Sequence, residues 1–291
     1  MKIELGVTLY HVEELPLLDY GLESILDKTQ QDICTTLYLS RYTDEIYDKA
    51  SKIAEKFEIN FEVRGDNCCP HYNNELRHRA FDVNDADTAL TIQPDTVFTQ
   101  KDIFDSIVDR ASDSFDSNFY VCVSSDHPKD DTPLGIVFHT KLGWEKVGCD
   151  DINFYPQAGG EQDFHRRCYL AHGLDPNDKK LYMAPIKGKT DVPWAHRIRC
   201  KEFLHVGKPW NYLDPRLSLP DRANYSTQIL FENVLWDRWI PYYLEKWGGV
   251  LGFEKFIKPF NDKKNSIQIP WETSLNPYPE TRYINLRGLV L

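Results

Sequence analysis

Apolar and polar residues alternate along residues 3–10, with Ile3, Leu5, Val7 and Leu9 set against Glu4, Gly6 and Thr8, and this predicts a strand. The spacing then changes to three and four. Leu18, Leu22, Ile25 and Leu26 fall on one side of a helix over 14–28, with Pro16 near its first turn. The same exchange of periods recurs. Residues 33–39 (Thr35-Thr36-Leu37-Tyr38-Leu39) and 59–64 read as strands. Residues 44–57 form a helix carrying Ile46, Tyr47, Ala50, Ile53, Ala54 and Phe57 at helical spacing. Residues 73–84 read as a helix, Thr88–Ile92 as a strand, and 100–111 as a helix opened by a capping-box-like Thr99-Gln100-Lys101-Asp102. Strand–helix alternation predicts an α/β chain with a parallel sheet covered on both faces. Ligands of such sheets bind beyond the carboxyl ends of the strands. The places to look for chemistry are therefore just after Tyr10, Leu39, Val63 and Ile92.

The second half is less regular. Segments 119–124, 134–138 and 202–206 are candidate strands, and a helix over 161–172 stops at Gly173. Residues 207–224, rich in Pro, Asp and Asn, read as a loop. An amphipathic helix over 226–240 follows, with Phe231, Val234, Leu235, Trp236 and Trp239 on one side, and Pro241 is expected to kink or end it. The last thirty residues read as an extended tail.

Composition narrows the partners. With 34 basic and 45 acidic residues among 291, the net charge is −11, which gives no general attraction to nucleic acid or anionic membranes. An anionic small substrate then needs a local device: a metal ion, a helix N-terminus or a few arginines. Seven cysteines, with no CxxC pair, indicate a reducing compartment. The N-terminus is too short and too charged for a signal peptide, and no stretch approaches the ~18 apolar residues of a membrane span. These features predict a cytoplasmic protein.

Three segments can carry chemistry. Thr91-Ile92-Gln93-Pro94-Asp95 ends an apolar strand with a carboxylate beyond the sheet, where it can hold a divalent cation, although Pro and Asp at those positions are also ordinary turn residues. Gly159-Gly160-Glu161-Gln162-Asp163 leads into a helix with two carboxylates in its first turn. Either can serve as a general base or simply favour the helix dipole. Two residues apart, these positions lie roughly 200° apart around the axis, so both can hardly face one reacting hydroxyl. Phe203-Leu204-His205-Val206-Gly207 puts an imidazole, a common ligand of manganese-like ions, at the end of a short strand.

In this order and at these distances, the three segments resemble those of a GT-A glycosyltransferase, most like the large family 2 of that class. The resemblance covers roughly residues 3–210. Gly6-Val7-Thr8-Leu9-Tyr10-His11 is similar to the family's first strand, Asn73-Asn74-Glu75-Leu76-Arg77-His78-Arg79-Ala80 to the helix before its metal motif, and Gln93-Pro94-Asp95 to its Asp-x-Asp. Leu142–Gly148 through Asp163 resembles the acceptor-side segment that ends in the acidic catalytic motif. Tyr242–Gly249 resembles a segment of some bacterial and phage members. Gln93 departs from the family by replacing the first Asp.

The resemblance implies a Rossmann-like mixed sheet over 1–215 and a C-terminal helical extension and tail, 216–291, packed on it. It implies transfer of a sugar from a nucleotide-sugar, a UDP-sugar for preference, to a hydroxyl of a glycan or protein, by a metal-dependent inverting displacement. Asp95 and His205 would hold Mn²⁺ or Mg²⁺. Thr8, Tyr10, Arg79 and Gln93 would contact the donor. Asp163 or Glu161 would be the base, with Asp163 slightly favoured and paired to Arg166 or Arg167. A hydroxymethylated base of phage DNA is an alternative acceptor. A nucleotidyltransferase and a non-catalytic sugar-nucleotide-binding module are alternative functions. Tyr10-His11-Val12-Glu13, where a nucleotidyltransferase would carry a Gly-rich basic loop, argues against the first of these.

Overall fold

The computed structural model describes residues 1–9, 14–27, 29–39, 43–63, 69–100, 102–125, 136–154, 160–174, 192–205, 240–250 and 252–274. Its strands are β1 (Lys2–Leu9), β2 (Asp32–Leu39), β3 (Asn60–Val63), β4 (Thr88–Ile92), β5 (Thr96–Phe98), β6 (Tyr120–Ser125), β7 (Ile136–Thr140), β8 (Ala195–Cys200) and β9 (Phe203–His205). Its helices are α1 (Leu15–Leu26), α2 (Asp44–Lys56), α3 (Cys69–His78), α4 (Ile103–Ser112), α5 (Lys141–Val147), α6 (Gly160–Ala171), α7 (Ile240–Trp247) and α8 (Trp271–Ser274). The loop expected over 207–224 and the amphipathic helix over 226–239 lie outside the described residues.

Seven strands form one mixed sheet in the order β3-β2-β1-β4-β7-β6-β8. Strands β3, β2, β1 and β4 run parallel, and β7 is antiparallel to both of its neighbours. Strand β8 runs parallel to β6. The chain leaves β1 for β2 on one side and returns to β4 on the other, so the topological switch lies between β1 and β4, and the crevice for a ligand opens at their carboxyl ends.

The alternation in each strand separates two faces. Ile3, Leu5, Val7, Leu9, Leu37, Leu39, Leu90, Ile92, Val121, Val123, Ile136 and Phe138 make one continuous apolar face, covered by residues of α1, α2 and α4. The register puts Glu4, Gly6 and Thr8 level with Cys34, Thr36 and Tyr38, and Cys122 level with Arg197, on the other face. Leu76 of α3 covers Gly6 so closely that a Cβ there would lie 2.7 Å from its side chain.

Local rules explain most element boundaries. Thr43 caps α2 by accepting from the Ile46 N–H, and Thr140 caps α5 by accepting from the Gly143 N–H at 3.0 Å. Helix α6 ends as expected, with Gly173 at φ +75. The capping box expected at Thr99 does not form. Thr99 instead bonds Glu202 through its N–H (2.8 Å) and hydroxyl (3.2 Å), continuing the pairing of β5 with β9. Helix α4 starts later, after Asp102 at φ 66. Pro241 does not end a helix: helical backbone runs through it from Ile240 to Trp247.

Candidate active site at the carboxyl edge of the sheet

Strand β4 delivers Gln93, Pro94 and Asp95 to the carboxyl edge. The Thr96 N–H donates to the Gln93 carbonyl at 3.0 Å and closes a turn with Pro94 and Asp95 at its centre. Gln93 is exposed, whereas Asp95 is buried. The chain then enters β5, which pairs antiparallel with β9 in the register Thr96↔His205. The backbone of His205 is thereby opposite the residue that follows Asp95. Sequence segments more than a hundred residues apart, read separately as a carboxylate and an imidazole, meet at one place.

Thr8 lies on the neighbouring strand, level with Tyr38 of β2. Tyr10 lies outside the described residues. Arg79 sits in a single π-helical turn, Arg79–Val83, that continues α3, and its Nη1 donates to Glu62 of β3 at 2.8 Å. Tyr38 packs on Tyr72 of α3, with ring centroids 5.1 Å apart. Burial, reinforced by the Glu75 carboxylate, pushes its phenol well above the usual tyrosine range. The structure thus gathers Gln93, Asp95 and the His205 backbone at one edge, with Thr8 on the strand beside them and Arg79 in the layer over β1–β3.

The acidic motif of α6 divides. Asp163 is fully buried. Its Oδ2 accepts from Arg167 Nε at 2.8 Å, and its Oδ1 accepts from Trp247 Nε1 at 2.8 Å and faces Lys246 Nζ at 2.6 Å. Burial alone would raise the carboxyl, but Lys246 and Arg167 outweigh it and hold the group below its ordinary range. Lys246 also donates to Asp151 Oδ2 at 2.6 Å, which in turn accepts from the Tyr242 hydroxyl at 2.7 Å. Arg167 continues to the carbonyls of Val147 (2.6 Å) and Cys149 (2.9 Å). Arg166, on the next position, donates to the Phe256 carbonyl at 2.6 Å. An anion held this way is a structural counter-ion: both oxygens are occupied and water is excluded. Glu161 is in the first turn of the same helix, with its side chain outside the description.

Sequence reasoning missed the residues that grip Asp163 from a distance. Its pairing with an arginine three or four positions on is visible in the motif, and Arg167 makes it. Lys246, Trp247 and Tyr242 come from α7, and no local signal joins them to α6.

A buried histidine, His165, and a half-buried one, His139, make stability depend on pH. Burial holds His165 down to about 4, and burial assisted by Arg77 holds His139 well below its ordinary value. An unfolded histidine titrates near 6.5. Below that pH the unfolded chain takes up protons that the fold refuses, so stability is fully present above pH ~6.5 and falls as pH drops toward about 4. Each histidine contributes a slope of up to about 1.4 kcal/mol per pH unit. Urea midpoints measured from pH 7.5 to 4.5 should fall on the acid side, and a flat profile would mean that neither imidazole is held neutral.

Among the described residues no three His, Cys, Asp or Glu side chains gather as a metal cage, and no helix is long and apolar enough to cross a membrane. No protein-family model matches the chain, and neither does any curated protein. Solved structures are similar to it. A mannosyltransferase from Pyrobaculum calidifontis in complex with GDP-Man and Mn²⁺ is 14% identical, with a TM-score of 0.48 over 72% of this chain and 58% of that one. This chain therefore spans just over half of that protein. Glucosyl-3-phosphoglycerate synthase from Mycobacterium tuberculosis, in complex with Mn²⁺, UDP and phosphoglyceric acid, is 12% identical, with a TM-score of 0.45 over 76% of this chain and 80% of that one. A cytidylyltransferase from Leptospira borgpetersenii is 12% identical, with a TM-score of 0.42 over 80% and 92%. The strand order reverses between β1 and β4 and one strand runs against the rest, a Rossmann-like mixed α/β sheet of the kind the strand–helix alternation of the first half implies.

Proposed function

We propose that this chain is a glycosyltransferase that moves a sugar from a nucleotide-sugar, a UDP-sugar for preference, to an acceptor hydroxyl with inversion. The observation that carries the reading is the turn that sets Asp95 at the topological switch with His205 brought beside it by the β5–β9 register. A carboxylate and an imidazole form a donor set suited to Mn²⁺ or Mg²⁺. Asp95 and His205 would hold the ion, and Gln93 would add a neutral oxygen. When bound, the ion supplies positive charge against the leaving diphosphate. Thr8, Tyr10 and Arg79 are assigned to the nucleotide, with Arg79 held over β3 by Glu62.

The base in this reading is Glu161, because the surroundings of Asp163 leave it no oxygen for a substrate. Glu161 takes the proton of the acceptor hydroxyl. The freed oxygen attacks the anomeric carbon from the face opposite the diphosphate, and the bond to the diphosphate breaks with its electron pair leaving on oxygen. One displacement inverts the configuration. The acceptor is a glycan or a protein, with a hydroxymethylated DNA base as the alternative that the net charge of −11 disfavours. We assign residues 1–215 to catalysis and 216–291 to an extension packed on them, a division supported by the hold of Lys246 and Trp247 on Asp163. We place the enzyme in the cytoplasm.

Calorimetric titration of UDP tests the metal site. Binding should be tight with Mn²⁺ and weaken at least tenfold in EDTA, and Gln93→Asp should tighten it by adding a charge to the site. Equal affinity with and without metal would remove Asp95 and His205 from the donor site. A panel of nucleotide-sugars screened for slow hydrolysis then identifies the donor.

A further inference from the structure

Large apolar side chains are exposed at eight positions among the described residues, and four of these, Leu244, Val250, Phe253 and Ile257, fall in the one stretch 244–257. The segment that follows α7 is firmly held. The N–H groups of Lys255 and Phe256 both donate to the Trp247 carbonyl at 3.0 Å, and the Phe256 carbonyl accepts from Arg166 Nη2 at 2.6 Å. The Glu254 carboxylate is buried and accepts from the Tyr243 hydroxyl at 2.5 Å. The Phe256 ring closes over Gly248, where a Cβ would lie 2.7 Å from it. Glu254 and Phe256 thus take the inward positions. Phe253, Lys255 and Ile257 alternate with them on the outward side, Phe253 62% and Ile257 68% exposed. Turning the outward set in would lift Glu254 and Phe256 out, so the anchoring itself holds an apolar ridge in water.

Charge indicates what covers the ridge. Over residues 244–268, Lys255, Lys258, Lys263 and Lys264 reach solvent against two carboxylates that do so, Glu245 and Asp262, in a chain whose net charge is −11. We propose that this ridge docks on an anionic lipid bilayer. Val250, Phe253 and Ile257 enter the boundary between headgroups and acyl chains, and the lysines meet the anionic headgroups. A lysine between two apolar side chains suits a lipid interface, where its stem lies along the chains and its ammonium rises to the headgroups. In a dry protein–protein contact the same ammonium would need a dedicated counter-ion. The remaining surface, more acidic still, is repelled by such a bilayer, so contact is confined to the ridge and the molecule meets the membrane in one orientation. Docking of this kind is independent of the transfer chemistry proposed above.

Co-sedimentation of the full chain with vesicles at millimolar lipid is the test. Phosphatidylcholine vesicles containing about a third phosphatidylserine should bind the chain about tenfold or more tightly than pure phosphatidylcholine, and salt raised to about 0.5 M should remove the difference. Phe253→Ser combined with Ile257→Ser should weaken binding about tenfold with Tm unchanged. Lys255→Gln combined with Lys258→Gln should bind the two lipid compositions alike within a few-fold. If the double serine variant fails to fold, Ile257→Ser alone is read in the same way. Absence of wild-type binding to the anionic vesicles, wild-type affinity in the serine variants, or an unchanged lipid preference in the glutamine variant overturns the proposal. So does a marked fall of Tm in Ile257→Ser, which would mean that the chain itself covers the ridge. A wild-type dimer in light scattering that Ile257→Ser dissociates overturns it too, because the occupant is then a second copy.

Discussion

Asp163→Asn should unfold more easily than wild type by about 3–5 kcal/mol, the cost of removing one partner from a buried ion pair. In a domain of this size that lowers Tm by roughly 10 °C. The cause is electrostatic. Arg167 and Lys246 are both fully buried, and Asp163 meets them at 2.8 and 2.6 Å. The amide leaves both cations in the interior with less compensation, although Asp151 still faces Lys246 at 2.6 Å and moderates the loss. The new amide also has one oxygen where the carboxylate had two, so it cannot accept from both the Trp247 indole and Arg167 Nε as Asp163 does. Thermal melting and urea unfolding of the purified variant check this. Normal melting with abolished turnover would instead place Asp163 among the reacting groups.

Glu161→Gln should show the opposite pattern. An amide cannot accept the acceptor's proton, so transfer should slow by ~10²–10⁴. Stability should change little: the variant loses the attraction between a carboxylate and the helix N-terminus, worth about 0.3–1 kcal/mol. UDP affinity should be that of wild type. The measurements are kcat against the identified donor and acceptor, UDP titration, and melting of the same preparation. A Glu161→Gln enzyme with near-normal kcat would leave the acidic motif purely structural and exclude the proposed base.

How far these roles were legible along the chain depended on how local their causes are. Strands β1, β2 and β4 announce themselves by Leu, Ile and Val at period two, and their parallel pairing follows from the helices between them. The position of Asp95 at the carboxyl edge was legible because it follows such a strand within three residues. Strand β8 was not: Ala195-His196-Arg197-Ile198-Arg199-Cys200 carries one branched apolar residue, and it is a strand because β6 supplies its ladder. Helix α5 was missed because seven residues with a central glycine make a poor helix by propensity. Gly143 is there because the Phe119 carbonyl would lie 2.2 Å from any Cβ. The partners that occupy both oxygens of Asp163 were not legible, for the same reason in reverse. Acidic residues in a first turn look alike in sequence, and what distinguishes Asp163 is an indole and an ammonium that arrive more than eighty residues later.

That delay bears on how the protein is made. A chain synthesised from its N-terminus presents β1 to β4 and their helices first, and these pair through neighbouring segments that can dock as they emerge. Helix α6 emerges with Asp163 and Asp151 matched on one side only. Lys246, which binds both carboxylates at 2.6 Å, is still inside the ribosome. Until residue 247 is released, Asp163 lacks Lys246 and the Trp247 indole, and Asp151 lacks Lys246 and the Tyr242 hydroxyl, so the polar groups around α6 are incompletely paired. Closure of this half of the molecule therefore waits for the arrival of α7, and a nascent chain stopped short of Tyr242 is a ready substrate for proteolysis.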